Sequence, residues 1–122
     1  IKIVMNRARP PLLFTDGVFG FRPLEFDFSF LWQSFPSGHA TTGLAIAVAG
    51  SIAWPRLRWV MWPIGVSIAL GRVIYNVHYF SDVMAGAAIG IISAWLIQLW
   101  LTTHFQPWAD TRWALPSEKK TT

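Results

Sequence analysis

His78 and Asp82 are separated by four positions, a spacing that brings two side chains to the same face of a helical turn. In that arrangement the carboxylate accepts a hydrogen bond from one imidazole nitrogen. This fixes the tautomer and leaves the other nitrogen free to act as a base or a nucleophile. Alone, such a pair is more typical of a local hydrogen bond than of a reactive site, so its meaning depends on the residues around it.

A second group of polar residues, Ser37-Gly38-His39, stands where a long apolar segment begins. Serine is a preferred helix N-cap, and the free N–H groups and positive dipole end of a helix N-terminus attract anions. Glycine lets an anion approach the backbone closely. Plain capping accounts for the serine but not for His39, so the segment also predicts an anion site with a titratable group beside it.

Three cationic residues are predicted to lie near these groups. Arg72 precedes His78 by six positions, and Lys2 and Arg9, seven apart, can share one face of a helix. Taken singly, Arg72 could extend to the lipid headgroups, and Lys2 and Arg9 could form a juxtamembrane cluster with Arg7. Taken together, they predict a phosphate pocket in which one histidine attacks phosphorus and the other protonates the leaving oxygen.

A metal centre is the competing chemistry, because two histidines and one carboxylate can form a facial triad of ligands. The three nearby cations would repel a divalent ion and attract phosphate. The chain has no cysteine, so no thiolate nucleophile or ligand is available. We therefore expect no metal and no cofactor.

Apolar helices must position these residues. The chain is 53% hydrophobic and only 13% charged, and residues 83–101 form an uncharged run long enough to cross a hydrocarbon core of about 30 Å. Apolar segments at 38–54, 60–78 and 83–101 predict an all-α, integral-membrane helical bundle. Passing back and forth through a bilayer, they bring the two histidines, Asp82 and the three cations to one membrane face.

The remaining segments predict loops and a tail. Residues 1–10 are interpreted as a helix end stopped by the Pro10-Pro11 pair. Residues 11–35 form an aromatic-rich loop in which 24–30 alternate as an extended segment would, either packed on the surface or forming a rim for lipid entry. Residues 102–122 form a polar tail. Gly86 and Gly90 predict close helix packing.

The chain starts with apolar residues and has no recognisable signal peptide, so we expect residues 1–122 to be the C-terminal portion of one domain whose upstream helices are missing. The net charge of +4 suits an anionic lipid or substrate better than nucleic acid, because the basic residues are scattered among apolar segments. The partners expected are a membrane and a phosphate. The oligomeric state stays open.

The polar residues resemble the motifs of the type 2 phosphatidic acid phosphatase (PAP2) family. Three motifs stand in the family's order over roughly two thirds of the chain: Lys2-x6-Arg9-Pro10, Pro36-Ser37-Gly38-His39 and Gly71-Arg72-x5-His78-x3-Asp82. The departure is Gly71, where the family usually has serine, so one hydroxyl contact to phosphate is absent. The resemblance implies a helical bundle with six transmembrane helices, of which this chain covers the end of the third and the fourth to sixth.

The same resemblance implies the chemical roles. His78 is the nucleophile that forms a phosphohistidine, Asp82 orients it, and His39 is the general acid. The residues implied to hold the phosphate are Lys2, Arg9, Ser37, Gly38 and Arg72. The expected activity is metal-independent hydrolysis of a membrane-lipid phosphate monoester or pyrophosphate.

Two other functions stay open: a vanadium-dependent haloperoxidase, and a non-catalytic module that binds or transports phospholipid. The long uncharged span disfavours the haloperoxidases, which are soluble. The lipid itself is not determined. If Lys2 and Arg9 serve catalysis and are left out, the count of basic residues on the two sides of the helices predicts a site on the extracytoplasmic face of a bacterial inner membrane.

Overall fold

The computed structural model describes residues 2–25 and 27–104. In this part of the chain the regular structure is helical, with no strand. The α-helices are α1 (Lys2–Met5), α2 (Pro10–Asp16), α3 (Gly38–Ala53), α4 (Arg58–Ile74) and α5 (Phe80–His104). Short 3-10 helices lie at Phe30–Trp32 and Pro55–Leu57. The predicted all-α class is confirmed.

Two stretches are long and apolar enough to cross a membrane, Pro55–Ile74 and Phe80–His104, and α3 is a shorter apolar helix of 16 residues. Large apolar side chains such as Trp59 and Ile97 are exposed along them. Such surfaces suit contact with lipid rather than water. The three predicted apolar segments are therefore helices, although α4 ends four residues earlier than expected and α5 begins three residues earlier.

Helix α3 lies between the other two long helices, and glycines determine how closely they approach. A Cβ atom on Gly86 or Gly90 of α5 would collide with a backbone carbonyl oxygen of α3 or its N-cap. On the other side of α3, a Cβ on Gly65 of α4 would stand 2.8 Å from the carbonyl oxygen of Gly43. The helices thus meet backbone to backbone, in agreement with the predicted packing role of Gly86 and Gly90.

The interpretation of residues 1–10 as one helix end is wrong. Helix α1 ends at Met5, because Asn6 adopts a left-handed conformation with φ of 39°. Pro10 and Pro11 begin α2 instead of stopping a helix. Proline is tolerated there because the N–H groups of the first turn have no partner within the helix, so the missing N–H costs nothing. The predicted loop at 11–35 therefore contains most of a helix.

The segment between α1 and α2, residues 6–9, is buried, and the aromatic-rich loop contacts it along its length. Backbone hydrogen bonds join it to the middle and to the end of the loop: Arg22 N to Asn6 O (2.9 Å), Ala8 N to Gly20 O (3.1 Å), Arg9 N to Leu31 O (2.8 Å) and Ser34 N to Arg7 O (3.1 Å). These bonds hold the side chains of residues 6–9 in place at the end of the bundle where α3 begins.

The predicted extended segment 24–30 is not one regular strand. Leu24 has φ of 68° and Phe30 begins a 3-10 helix. Position 26 lies outside the described residues. Phe28 and Phe30 are exposed, so the segment presents apolar rings at the surface.

Candidate active site

The turn between α4 and α5 positions His78. Asn76 is left-handed with φ of 53°, its N–H donates to Val73 O at 2.9 Å, and the N–H of Val77 donates to Arg72 O at 3.1 Å. This is a Schellman C-cap. The carbonyl of Arg72 accepts a second bond from the N–H of His78 at 3.2 Å, so the end of α4 determines directly where the histidine lies.

The His78 ring is buried, with 2% of the residue exposed, and its two nitrogens have different neighbours. Nδ1 lies 3.5 Å from Ser34 Oγ and 3.8 Å from Asp82 Oδ2. Nε2 lies 3.5 Å from Arg9 Nη1. An acidic or hydroxyl oxygen next to Nδ1 favours a proton there, which leaves the lone pair on Nε2. His78 and Asp82 are close as predicted, but Ser34 stands nearer to the ring than the carboxylate does.

Asp82 is fully buried in the first turn of α5 and accepts hydrogen bonds on both oxygens. Oδ2 accepts from Ser34 Oγ at 2.5 Å and from the Tyr79 N–H at 3.0 Å. Oδ1 accepts from Arg7 Nη1. A buried carboxylate is tolerated only when it is paired and hydrogen-bonded, and here both conditions hold.

Ser37 is the N-cap residue of α3, as predicted, but its hydroxyl makes no capping bond. Oγ is buried and has no hydrogen-bond partner among the described residues. The backbone N–H of Ser37 donates to Asp82 O at 3.0 Å, which ties the start of α3 to α5. A buried hydroxyl without a partner costs free energy, so plain capping does not explain this serine.

The three predicted cations differ in how they are held. Arg9 is buried and donates to the carbonyl oxygens of Phe30 (2.7 Å), Val77 (3.1 Å) and Gln33 (3.3 Å), with its guanidinium 3.7 Å from the Phe30 ring centroid. The Lys2 ammonium lies beside Gly38, with Nζ 3.7 Å from the position that a Cβ on this glycine would take. Nε of Arg72 is buried and has no partner in the described part of the chain.

These cations repel one another. Burial lowers the pKa of the Lys2 ammonium below its usual value, and the charges of Arg9 and Arg72 lower it further. Burial also lowers the pKa of Arg9, with Arg72 the next largest cause. Like charges held together in this way make a favourable site for an anion.

All the residues predicted to bind phosphate or to take part in catalysis lie at one end of the bundle, where α3 and α5 begin and α4 ends. His39 is exposed there, within electrostatic range of Lys2, Arg9, Arg72 and His78. The full set is Lys2, Arg9, Ser37, Gly38, His39, Arg72, His78 and Asp82. Between residues 2 and 104, position 26 apart, no three histidine or acidic side chains form a cluster that could hold a metal ion.

Comparison with known proteins identifies the family, because the model of the PAP2 superfamily matches residues 1–106. The chain belongs to the PAP2 superfamily. This confirms the predicted family and, with the two helices long enough to span a membrane, the predicted membrane helical bundle.

Two curated relatives of this PAP2 chain are named lipid A 1-phosphatase, one from Rhizobium etli and one from Rhizobium johnstonii. Each is 38% identical over 90 residues, or 74% of this chain. The matched region is 38% of the Rhizobium etli protein and 36% of the Rhizobium johnstonii protein, so the chain spans little more than a third of their length. No solved structure matches the chain.

Two residues of this candidate site were not predicted. Ser34 lies only three positions before Ser37, but nothing in its neighbours indicates that its hydroxyl reaches Asp82. From the sequence, Arg7 enters only the alternative of a juxtamembrane cluster with Lys2 and Arg9, yet Arg7 is buried with 7% exposed. The only available signal was its position between Lys2 and Arg9, inside the first motif.

A cavity of about 770 Å³ lies between α3 and α5 towards their C-terminal ends, away from these polar residues. Ala45, Ala53, Gln98 and Leu101 are among its lining residues, and none of those residues is titratable. The polar residues described above lie at the opposite end of the helices.

Proposed function

We propose that this chain carries the active site of a phosphatase that hydrolyses a phosphate monoester or pyrophosphate of a membrane lipid through a phosphohistidine. The observation that carries the proposal is the environment of the buried His78 ring. Nδ1 faces Ser34 and Asp82, whereas Nε2 faces Arg9. A histidine held in one tautomer beside fixed cations is suited to attack phosphorus.

The phosphate would be bound by groups that have spare hydrogen-bonding capacity. The Ser37 hydroxyl and Arg72 Nε are buried and have no hydrogen-bond partner among residues 2–25 and 27–104, and α3 begins at Gly38. Lys2 and Arg9 supply further positive charge. A phosphate bound there would satisfy the buried donors and relieve the repulsion among the cations.

In the proposed first step, the lone pair of His78 Nε2 attacks phosphorus and a P–N bond forms as the bond from phosphorus to the lipid oxygen breaks. His39 gives its proton to that departing oxygen. In the second step, water attacks the phosphohistidine, His39 takes the water's proton, and the P–N bond breaks. Inorganic phosphate leaves, and both histidines return to their starting states.

The proposed substrate class is a lipid phosphate of the lipid A type, since both curated relatives are named for that activity. The exposed position of His39 leaves room for a large lipid on the leaving-group side. Arg56 lies in the turn after α3 and Arg58 is the first residue of α4, so both are on the side opposite the site. By the positive-inside tendency, the site then faces the extracytoplasmic side of a bacterial inner membrane.

The test is phosphate release by the full-length protein in detergent. The substrates are lipid A, phosphatidic acid and undecaprenyl pyrophosphate, each assayed with EDTA. We expect His78→Ala to abolish release, whereas His104→Ala, a matched change at the far end of α5, leaves it unchanged. Phosphate release by the His78→Ala variant would contradict the assignment of His78 as the nucleophile.

The same assay separates the other functions. Loss of activity in EDTA that added metal restores would contradict metal independence. Binding of vanadate, a phosphate analogue, without turnover of any lipid phosphate would favour a non-catalytic phospholipid-binding module. Vanadate-dependent halide oxidation would favour a haloperoxidase.

A further inference from the structure

We infer that Arg7 is a positioning residue that, together with Ser34, holds the carboxylate of Asp82 so that Asp82 and Ser34 orient His78. The inference rests on the proposed function, because it assigns roles within the same site. It concerns two residues outside those predicted to bind phosphate or transfer protons.

The two residues hold opposite oxygens of one carboxylate. Arg7 Nη1 donates to Asp82 Oδ1, and Ser34 Oγ donates to Oδ2 at 2.5 Å. The N–H of Ser34 donates to the carbonyl of Arg7 at 3.1 Å, so the two donors are also joined through the backbone. Since Oδ2 is the oxygen nearer to His78 Nδ1, the rotation of the carboxylate determines what that nitrogen faces.

The Arg7 side chain is itself held firmly. Its guanidinium carbon lies 4.4 Å from the Tyr79 ring centroid, 4.9 Å from that of Phe21 and 5.8 Å from that of Phe19. Nη1 also donates to Ser81 Oγ at 2.8 Å. A planar, permanently charged group surrounded by aromatic rings keeps its orientation, which a flexible ammonium does less well.

Arg7 differs in this respect from the cations proposed to bind phosphate. Arg7 contacts the carboxylate of Asp82 on the Nδ1 side of the His78 ring. Arg9 lies next to Nε2, the nitrogen proposed to attack. Loss of Arg7 should therefore slow phosphoryl transfer to His78 without weakening phosphate binding. A misplacement of reacting groups by about 1 Å costs about 10²-fold in rate, which is the loss in kcat that we expect.

The experiment compares Arg7→Met, Arg7→Lys and Ser34→Ala in the full-length protein, with Arg22→Met as the matched control. Arg22 also lies over an aromatic ring, that of Trp32 at 4.3 Å, but is half exposed. We expect Arg7→Met and Ser34→Ala to lower kcat about 10²-fold with KM and vanadate affinity unchanged. Arg7→Lys should recover part of the loss, and Arg22→Met should behave as wild type.

The kcat of the double variant Arg7→Met/Ser34→Ala distinguishes a shared positioning role from general destabilisation. Residues that act through one group are strongly non-additive, so the double variant should be little slower than either single variant. Two losses that multiply would overturn the inference. A rise in KM and vanadate Kd at constant kcat would also overturn it, because it would place Arg7 on the phosphate.

Folding and the proposed function are checked separately. Thermal unfolding is measured for every variant. If Arg7→Met does not fold, the other two variants decide: wild-type kcat in both Ser34→Ala and Arg7→Lys would overturn the inference. An active His78→Ala would refute the proposed function itself. An inactive His78→Ala beside a fully active Arg7→Met would refute only the role of Arg7.

Discussion

Replacing Gly86 with alanine tests whether the contact between α5 and the start of α3 determines the geometry of the site. A Cβ at this position would collide with the carbonyl oxygen of Ser37 and stand 3.2 Å from Thr41 Oγ1. The obstacle is backbone and not the end of a flexible side chain, so the helices themselves must separate. Ser37 and Asp82 would move apart with them, since the Ser37 N–H donates to Asp82 O at 3.0 Å.

The expected magnitudes differ for stability and for activity. Overpacking costs about 1–3 kcal/mol, whereas alanine in place of glycine in a helix interior stabilises by about 1 kcal/mol. The net loss in the free energy of unfolding is therefore at most about 2 kcal/mol. Restoring an ordinary contact distance of about 3.5 Å requires a shift of roughly 1 Å. Such a shift in a site costs about 10²-fold in rate.

The assay is kcat for lipid phosphate hydrolysis, measured beside thermal unfolding in the same detergent. Gly43→Ala is the matched control, because a Cβ there would have its nearest neighbour, Gly65 O, at an ordinary 3.4 Å. We expect Gly86→Ala to lose far more activity than stability, and Gly43→Ala to keep both. Wild-type kcat in Gly86→Ala would refute the argument that this contact positions the site.

Other predictions concern single residues of the site and its packing. Burial and the charge of Arg9 lower the pKa of Lys2, so phosphate affinity should be full below that pKa and decrease as the pH rises through it. In a vanadate-binding titration, Lys2→Arg should move this decrease in affinity to higher pH. Ser37→Ala should weaken vanadate binding without lowering the unfolding temperature, because its hydroxyl makes no hydrogen bond within the described part of the chain; an unchanged vanadate Kd would contradict the phosphate role. Gly65→Ala should destabilise the bundle by about 1–3 kcal/mol relative to Gly43→Ala; equal unfolding temperatures would count against the close α3–α4 contact.

The long helices and the gathering of polar residues at one end could be predicted from sequence because they depend on local patterns. Apolar runs of sufficient length form helices, and alternating passage through a bilayer decides which ends meet. Arg72, His78 and Asp82 all stand near helix ends, so their common location follows from connectivity alone. No side-chain contact was needed to predict it.

The parts that were missed depend on tertiary contacts. Met5 ends α1 because Asn6 turns left-handed and its carbonyl is bound by Arg22 from the loop. Arg7 is buried because aromatic side chains from distant positions surround it. Nothing within a few residues of either position distinguishes these outcomes from a continuing helix with a surface arginine.

The carbonyl oxygen of Arg72 accepts two hydrogen bonds, from the N–H groups of Val77 and His78, and this limits how the turn can vary. One carbonyl oxygen determines the distance from the end of α4 to His78, while Ile74, Tyr75 and Asn76 between them are exposed. The number of residues in this turn therefore matters more than their identity, apart from the left-handed position at Asn76. A protein built in this way tolerates substitutions in the turn, but a one-residue insertion or deletion there would move the histidine off its target.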